Sequence, residues 1–146
     1  MIIKVKLWAE IHLTEDIEKV KTAISNLCPP ATFKVTRHNQ QGTILEGHAT
    51  GPEAIATFAK KFREHRILQA VRNQFLQLVK ENQLVFGMQR QAAFANRFHL
   101  CDVNDFSAMG PIHVRITATH MQDIIDYISP TTVKGKPQFR QNLILE

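Results

Sequence analysis

The chain has 146 residues, of which 44% are hydrophobic and 21% charged, the composition of an ordinary globular domain that can bury a core. No apolar run approaches the roughly 20 residues that span a bilayer, and lysines interrupt the first apolar run, so we expect neither a membrane protein nor a signal peptide. A formal net charge of +5 favours contact with polyanions such as nucleic acid.

The N-terminal segment predicts a strand followed by a helix. Residues 2–12 alternate between apolar and polar side chains, which is typical of a strand with one buried face. A helix follows, with Thr14 as its cap and Glu15 and Asp16 in a first turn where the helix dipole favours acids. Pro29-Pro30 ends this helix.

A hairpin comes next. Residues 32–38 predict a second strand with Phe33 and Val35 facing inward, and residues 43–49 predict a third. The short turn between them makes the pair antiparallel.

Residues 58–99 carry the strongest helical periodicity of the chain. The apolar stripe breaks where His65 and Arg66 occupy core-facing positions, and it resumes at Ile67 or Leu68. This pattern predicts either one bent helix or two consecutive helices that meet near residues 63–67.

The rest of the chain is less regular. Leu84, Phe86 and Met88 alternate as a fourth strand, and residues 90–97 fit either a helical turn or an irregular crossing. Further on, the pattern predicts a fifth strand at Phe98 and Leu100, a sixth from Pro111, and a helix from Met121 to Ile128.

The predicted order is β-α-β-β-α(α)-β-β-β-α, which indicates an α+β fold: a mixed, mostly antiparallel sheet with helices on one face. We expect residues 1–128 to form a single domain. Residues 129–146 would be a C-terminal extension, either a loop or a docking tail, in which Leu143-Ile144-Leu145 could contact a partner chain.

Three segments together resemble a known family: Phe62–Arg72 (FREHRILQAVR), Phe86–Ala95 (FGMQRQAAFA) and Met109–Ile116 (MGPIHVRI). They are similar to an archaeal family of small uncharacterised proteins labelled RNA-binding, over roughly residues 1–128. Gln89-Arg90 stands where that family has Asn-Lys, and Met109 where it has Leu. The family is similar in fold to the ribosomal protein that carries 5S RNA, so the resemblance implies RNA as a partner and no established catalytic activity.

Basic residues cluster in and around the central helical segment, where Glu64 and Glu81 are the acids. Arginine suits phosphate because its planar fork donates two hydrogen bonds at once. We therefore predict an RNA-binding surface there, against the alternative of a merely solvated helix face. Its members are Lys60, Lys61, Arg63, Arg66, Arg72, Arg90 and Arg97.

A second candidate surface lies on the outward side of the predicted strands. If those strands are neighbours, basic side chains surround one tryptophan, an arrangement that can stack and pair with single-stranded RNA. A homodimer contact explains the same pattern equally well. The residues are Lys4, Lys6, Trp8, Lys34 and Arg115.

The sequence contains no catalytic motif. It has no P-loop, no G-x-G-x-x-G and no H-E-x-x-H, and Ser107 lacks a positioned base, so we predict that the chain is not an enzyme and has no cofactor. His99 and Cys101 would share a strand face, but half-buried strand residues explain them better than a metal site. Cys28 and Cys101 fit reduced thiols of a cytoplasmic protein, although a disulfide between them stays open.

Arg66 and Arg90 both break the local pattern, and such breaks tend to occur at functional or strained sites. We predict that the two side chains lie close together and form the centre of the anion site. The alternative is that Arg66 is structural and pairs with a carboxylate such as Glu64 or Glu81.

Overall fold

The computed structural model describes residues 2–12, 15–38, 42–104, 110–133 and 136–137. The helices in this part are α1 (Ile17–Leu27), α2 (Glu53–Glu64), α3 (Leu68–Leu78), α4 (Arg90–Phe94) and α5 (Met121–Ile128). The strands are β1 (Lys4–Ile11), β2 (Thr32–His38), β3 (Gly42–Thr50), β4 (Gln83–Gln89), β5 (Leu100–Cys101), β6 (Pro111–Thr117), β7 (Thr132–Val133) and β8 (Lys136–Pro137).

The main sheet has six strands in the order β2-β3-β1-β6-β4-β5, and each neighbouring pair is antiparallel. The inward side chains of β1, β4 and β6 pack against α1, α2, α3 and α5 in one hydrophobic core. The predicted α+β class is therefore confirmed. The ambiguous segment after β4 forms the short helix α4, and β7 and β8 pair as a separate two-stranded sheet.

The alternation of β1 separates two faces of the sheet. Val5, Leu7 and Ala9 are almost fully buried under the helices, because every second side chain of a strand points to the same side. The side chains that alternate with them lie on the opposite side and are exposed or half-buried. These are Lys4, Lys6, Trp8 and Glu10. We call this second side, formed by outward residues of β2, β3, β1, β6 and β4, the open face.

Of the two alternatives predicted here, the structure has the second: two consecutive helices, α2 and α3. The chain turns at Arg66, whose φ of 57° is left-handed, and the N–H of Ile67 reaches back to the carbonyl of Phe62 at 3.3 Å. The N–H of Arg66 donates to the carbonyl of Arg63 at 3.2 Å, so the ending is a Schellman motif. The apolar stripe breaks here because the helix itself ends.

Phenylalanine rings from α2, α3, β4 and residue 98 meet at the centre of the core. Phe58 lies 5.4 Å from Phe98 and 5.8 Å from Phe86 between ring centroids, in edge-to-face geometry. Phe62 and Phe75 extend the cluster at 6.1 Å. These rings fix the helices against β4, since aromatic pairs contribute beyond the area they bury.

The prediction for β2 was wrong in one respect. Phe33 and Val35 point towards the helical side but are 36% and 45% exposed. The reason is the position of β2 at the edge of the sheet, where α1 packs over β3. Alternation in the sequence shows which face a residue occupies, and only the strand order shows whether a helix covers it.

The predicted cap of α1 also changes. Asp16 is the N-cap, and its Oδ1 accepts from the backbone N–H of Glu18 at 2.9 Å. Thr14 lies outside the described residues, as do residues 138–146 with Leu143-Ile144-Leu145. The limits predicted for the domain and its extension stay predictions.

Candidate nucleic-acid interface

The antiparallel register brings the second predicted surface together on the open face. Lys6 lies opposite Arg115 of β6 on one side and opposite His48 of β3 on the other. Lys4, two residues before Lys6, points to the same face. Lys34 enters from β2, where its partner in register is Glu46 of β3. The condition on which this surface depended, that the strands be neighbours, is met.

Trp8 is the centre of the open face. Its ring stacks on the imidazole of His113, with centroids 5.0 Å apart and planes inclined by 11°. The Nζ of Lys6 lies 5.2 Å from the ring centroid and the guanidinium carbon of Arg115 lies 5.9 Å from it. An aromatic surface with two cations beside it results, within the range of cation–π attraction.

Glu46 holds Lys6 in place on this face. The Nζ of Lys6 lies 3.0 Å from Oε1 of Glu46, and the hydroxyl of Thr36 donates to Oε2 at 3.0 Å. The hydrogen bond from Lys6 is the main reason why the pKa of Glu46 is lowered. Lys6 is thus already paired, whereas Lys4 and Lys34 are exposed and form no ion pair within the described part of the chain.

The pKa of His113 is lowered from its ordinary value of 6.5. Burial is the main cause and the charge of Arg90 the second, while Glu10 acts in the opposite direction. At neutral pH the imidazole that stacks on Trp8 is therefore uncharged.

We expect an NMR titration to give His113 a pKa below 6.5. Because the unfolded chain then takes up this proton at higher pH than the folded one, the contribution of His113 to stability is complete above about pH 6.5 and falls as the pH drops towards the folded pKa. Glu10→Gln should lower the pKa further, since it removes the charge that raises it. A midpoint at or above 6.5 would contradict this assignment of causes.

One end of the open face carries a groove of about 360 Å³. We call it the Trp8 groove. The Trp8–His113 stack forms one part of its wall, and Glu10, Asn104 and Gly110 form others. Arg90 also lines it and links it to the helical side of the molecule.

Arg90 is an internal ion-pair partner, with 7% of its surface exposed. Its Nη1 donates to Oε1 and Oε2 of Glu15 at 2.5 and 2.7 Å and to the carbonyl of Glu10 at 2.8 Å. Its Nη2 reaches the carbonyl of Pro111 at 3.4 Å. The Nε is buried and makes no hydrogen bond to any described residue.

This geometry overturns the predicted anion site at Arg66 and Arg90. The guanidinium of Arg90 is paired with Glu15. Glu15 is a largely enclosed counter-charge, with 10% of its side chain exposed, where the sequence suggested a first-turn helix acid. The signal was missed because the two residues lie far apart in the sequence. Arg66 is exposed at its turn, and no ion pair links it to Glu64 or Glu81 within the described residues.

The RNA-binding surface predicted around the central helical segment is called the helical surface from here on. Two further members of it are also paired. Nη1 of Arg72 lies 2.7 Å from Oδ1 of Asp126 and donates to the carbonyl of Ser129, so this side chain joins α3 to α5. Lys61 lies 3.8 Å from Glu64 on the same helix. The members that remain exposed are Lys60, Arg63, Arg66 and Arg97.

The other chemistry that the sequence raised has no geometric support in the described residues. No group of three potential metal ligands occurs there, and no described helix is long and apolar enough to cross a membrane. Cys28 and Cys101 are free thiols, and burial raises the pKa of Cys28 to about 11.

Comparison with known proteins agrees with the resemblance noted in the sequence. Residues 4–118 match a family model described as RNA binding. The chain is 32% identical to a UPF0201 protein of Methanopyrus kandleri, covering 94% of this chain and 91% of that one, and 27% identical to one of Metallosphaera sedula, covering 92% of each. The crystal structure of a UPF0201 protein from Methanococcus jannaschii superposes with a TM-score of 0.81 at 27% identity, covering 92% of this chain and 98% of that one. The chain therefore belongs to the archaeal UPF0201 family, whose model is described as RNA binding.

Proposed function

We propose that this protein is a non-catalytic, cytoplasmic RNA-binding protein that contacts single-stranded RNA through the open face. The observation that carries the proposal is the half-buried Trp8 ring with Lys6 and Arg115 beside it, on a face that none of the described helices covers. The description of the family model supports RNA as the partner.

The residues of the open face can contact RNA in two ways, through the phosphates and through the bases. Lys4, Lys34 and Arg115 can neutralise phosphates, contacts that give affinity without sequence choice. The Trp8–His113 stack offers an aromatic surface to an unpaired base, since stacking tolerates every base. A single strand fits this face better than a duplex does, because only unstacked bases can reach an aromatic side chain.

The exposed basic residues of the helical surface form a second region. Lys60 and Arg63 belong to α2, which packs on the buried side of the sheet. An RNA strand that lies across Trp8 on the open face therefore does not contact Lys60 and Arg63 on the other side of the sheet. We therefore assign to the helical surface a weaker and separate contribution to RNA affinity.

The test compares two double variants in a fluorescence-anisotropy titration against a labelled single-stranded RNA. Lys4→Gln/Arg115→Gln should weaken binding by about 10- to 100-fold, since each charge-assisted contact contributes about 1.5–3 kcal/mol and part is lost to screening. The salt dependence should become shallower by about 0.7 in log–log slope for each phosphate contact removed.

The matched control is Lys60→Gln/Arg66→Gln, which removes the same charge from the helical surface and should change affinity far less. Equal losses in both double variants would show that only net charge matters. A wild-type dissociation constant weaker than about 10⁻⁴ M at moderate salt would refute RNA binding itself, since even non-specific binding is usually tighter.

A homodimer that buries the open face is the second candidate. It rests on the same half-buried Trp8, because aromatic residues are enriched at the centre of protein interfaces. In that case the basic residues of the helical surface are only solvated. Light scattering measures the molar mass of the purified protein in solution. A monomer at tens of micromolar would refute the homodimer.

A further inference from the structure

We propose that the Trp8 groove is a base-binding pocket that accepts an unpaired guanine. This inference rests on the proposed RNA-binding function and adds to it a preferred base and a place where that base sits. Nothing in the family description assigns such a pocket.

The size and position of the groove fit a base. Its volume of about 360 Å³ falls in the range of about 300–1,000 Å³ typical of small-molecule sites. It opens at the end of the same open face whose cations can hold the phosphates that precede or follow the base. A strand that crosses Lys6 and Arg115 therefore delivers a nucleotide to the groove.

The wall supplies a stacking surface. Trp8 and His113 present near-parallel rings, inclined by 11°, that act as one aromatic unit. Aromatic stacking stabilises a base by about 1–3 kcal/mol in single-strand binding proteins, whichever base is present. Because burial and the charge of Arg90 lower the pKa of His113, its ring is neutral at pH 7 and leaves the negative charge of Glu10 available to the ligand.

The hydrogen-bonding groups of the groove favour guanine over the other three bases. The carboxylate of Glu10 is exposed on the open face, accepts hydrogen bonds only, and is near enough to His113 to influence its pKa. Guanine presents two adjacent donors, N1–H and the N2 amino group, which one carboxylate can accept together. Adenine and uracil alternate donors with acceptors on that edge, and cytosine offers a single amino group beside its acceptors.

Asn104 and Arg90 complete the environment. Asn104 also lines the groove. Its side-chain amide can donate to the O6 acceptor of guanine. Arg90 fixes the strand beneath Glu10 through the hydrogen bond to its backbone carbonyl, at 2.8 Å. Because Glu15 is the ion-pair partner of Arg90, the carboxylate of Glu10 does not pair with that guanidinium and can accept from a base.

The experiment uses three labelled RNA strands of equal length: one of uridine only, one with a single central guanosine and one with a single central adenosine. The wild-type protein should bind the guanosine strand about tenfold or more tightly than the other two, the discrimination expected of a good bidentate base contact. Glu10→Gln should abolish this preference, so that the variant binds the three strands with affinities within about twofold of one another. Glu53→Gln, an exposed carboxylate on α2, is the matched control and should change nothing.

The outcomes separate the pocket from the proposed function. If all three strands bind equally tightly, the pocket is wrong and RNA binding stands. If none binds, RNA binding is wrong, and a titration with free GMP and AMP decides the pocket alone. Trp8 is the only tryptophan of the chain, so its fluorescence reports on the groove directly. Quenching by GMP and not by AMP would support a nucleotide site, and no quenching by either would overturn it.

A second variant keeps the test informative if Glu10→Gln does not fold. If circular dichroism shows that Glu10→Gln is unfolded, Asn104→Ala replaces it, because Asn104 lies in an exposed turn and its side chain is not part of the sheet. The guanosine preference should fall at least threefold in this variant. An unchanged preference would overturn the assigned role of the groove.

Discussion

Replacing Glu15 with glutamine is expected to lower the free energy of unfolding by about 3 kcal/mol. The change leaves the guanidinium of Arg90 buried without its counter-charge, and breaking a buried ion pair typically costs about 3–5 kcal/mol. We expect the lower end because the amide oxygen of glutamine can still accept one hydrogen bond. Urea denaturation followed by circular dichroism measures the difference.

Two comparisons isolate the buried charge as the cause. Glu64→Gln removes the carboxylate of the more exposed pair with Lys61, at 3.8 Å, and should cost less than about 1 kcal/mol. The double variant Glu15→Gln/Arg90→Met should recover part of the loss, because it removes the uncompensated charge as well. If Glu15→Gln costs no more than Glu64→Gln, the pair does not stabilise the fold as described.

Phe58→Ala should lower the free energy of unfolding by about 3–5 kcal/mol, the range for removing a buried aromatic side chain. Phe58 is fully buried and contacts the rings of Phe62, Phe86 and Phe98, so its loss opens a cavity where α2 meets the sheet. The same denaturation experiment measures it.

The control is Phe94→Ala, which removes the same side chain from a position that is 46% exposed. It should cost less than about 1.5 kcal/mol, since much of that ring already contacts water. Similar losses in the two variants would mean that the phenylalanine cluster does not have the central role that its geometry indicates.

The sequence predicted those parts of the fold that depend on near neighbours. Alternation identified β1 and its outward face, including Lys6 and Trp8, because side-chain direction in a strand repeats every two residues. The break at His65 and Arg66 correctly marked the region where two helices could meet. These features need no knowledge of the strand order.

Features that depend on distant partners could not be read in the same way. Arg90 looked available for phosphate because its counter-charge, Glu15, lies in a different part of the sequence and was explained by the helix dipole. Phe33 and Val35 had the correct face but not the correct burial. The contact of Trp8 with His113 depends on β1 being next to β6, and no local pattern specifies that pairing.

The central position of β1 has a consequence for how the sheet assembles. β1 precedes both of its neighbours in the sequence, and β3 follows it at a much shorter separation than β6 does. Its other neighbour, β6, spans residues 111–117, so one edge of β1 from Lys4 to Trp8 stays unpaired until that distant segment is available. Pairing between strands so distant in sequence is slow, and an open apolar edge invites association with other nascent chains. The core is therefore complete only after β6 has paired with β1, and we expect the chain to be most prone to association before that step.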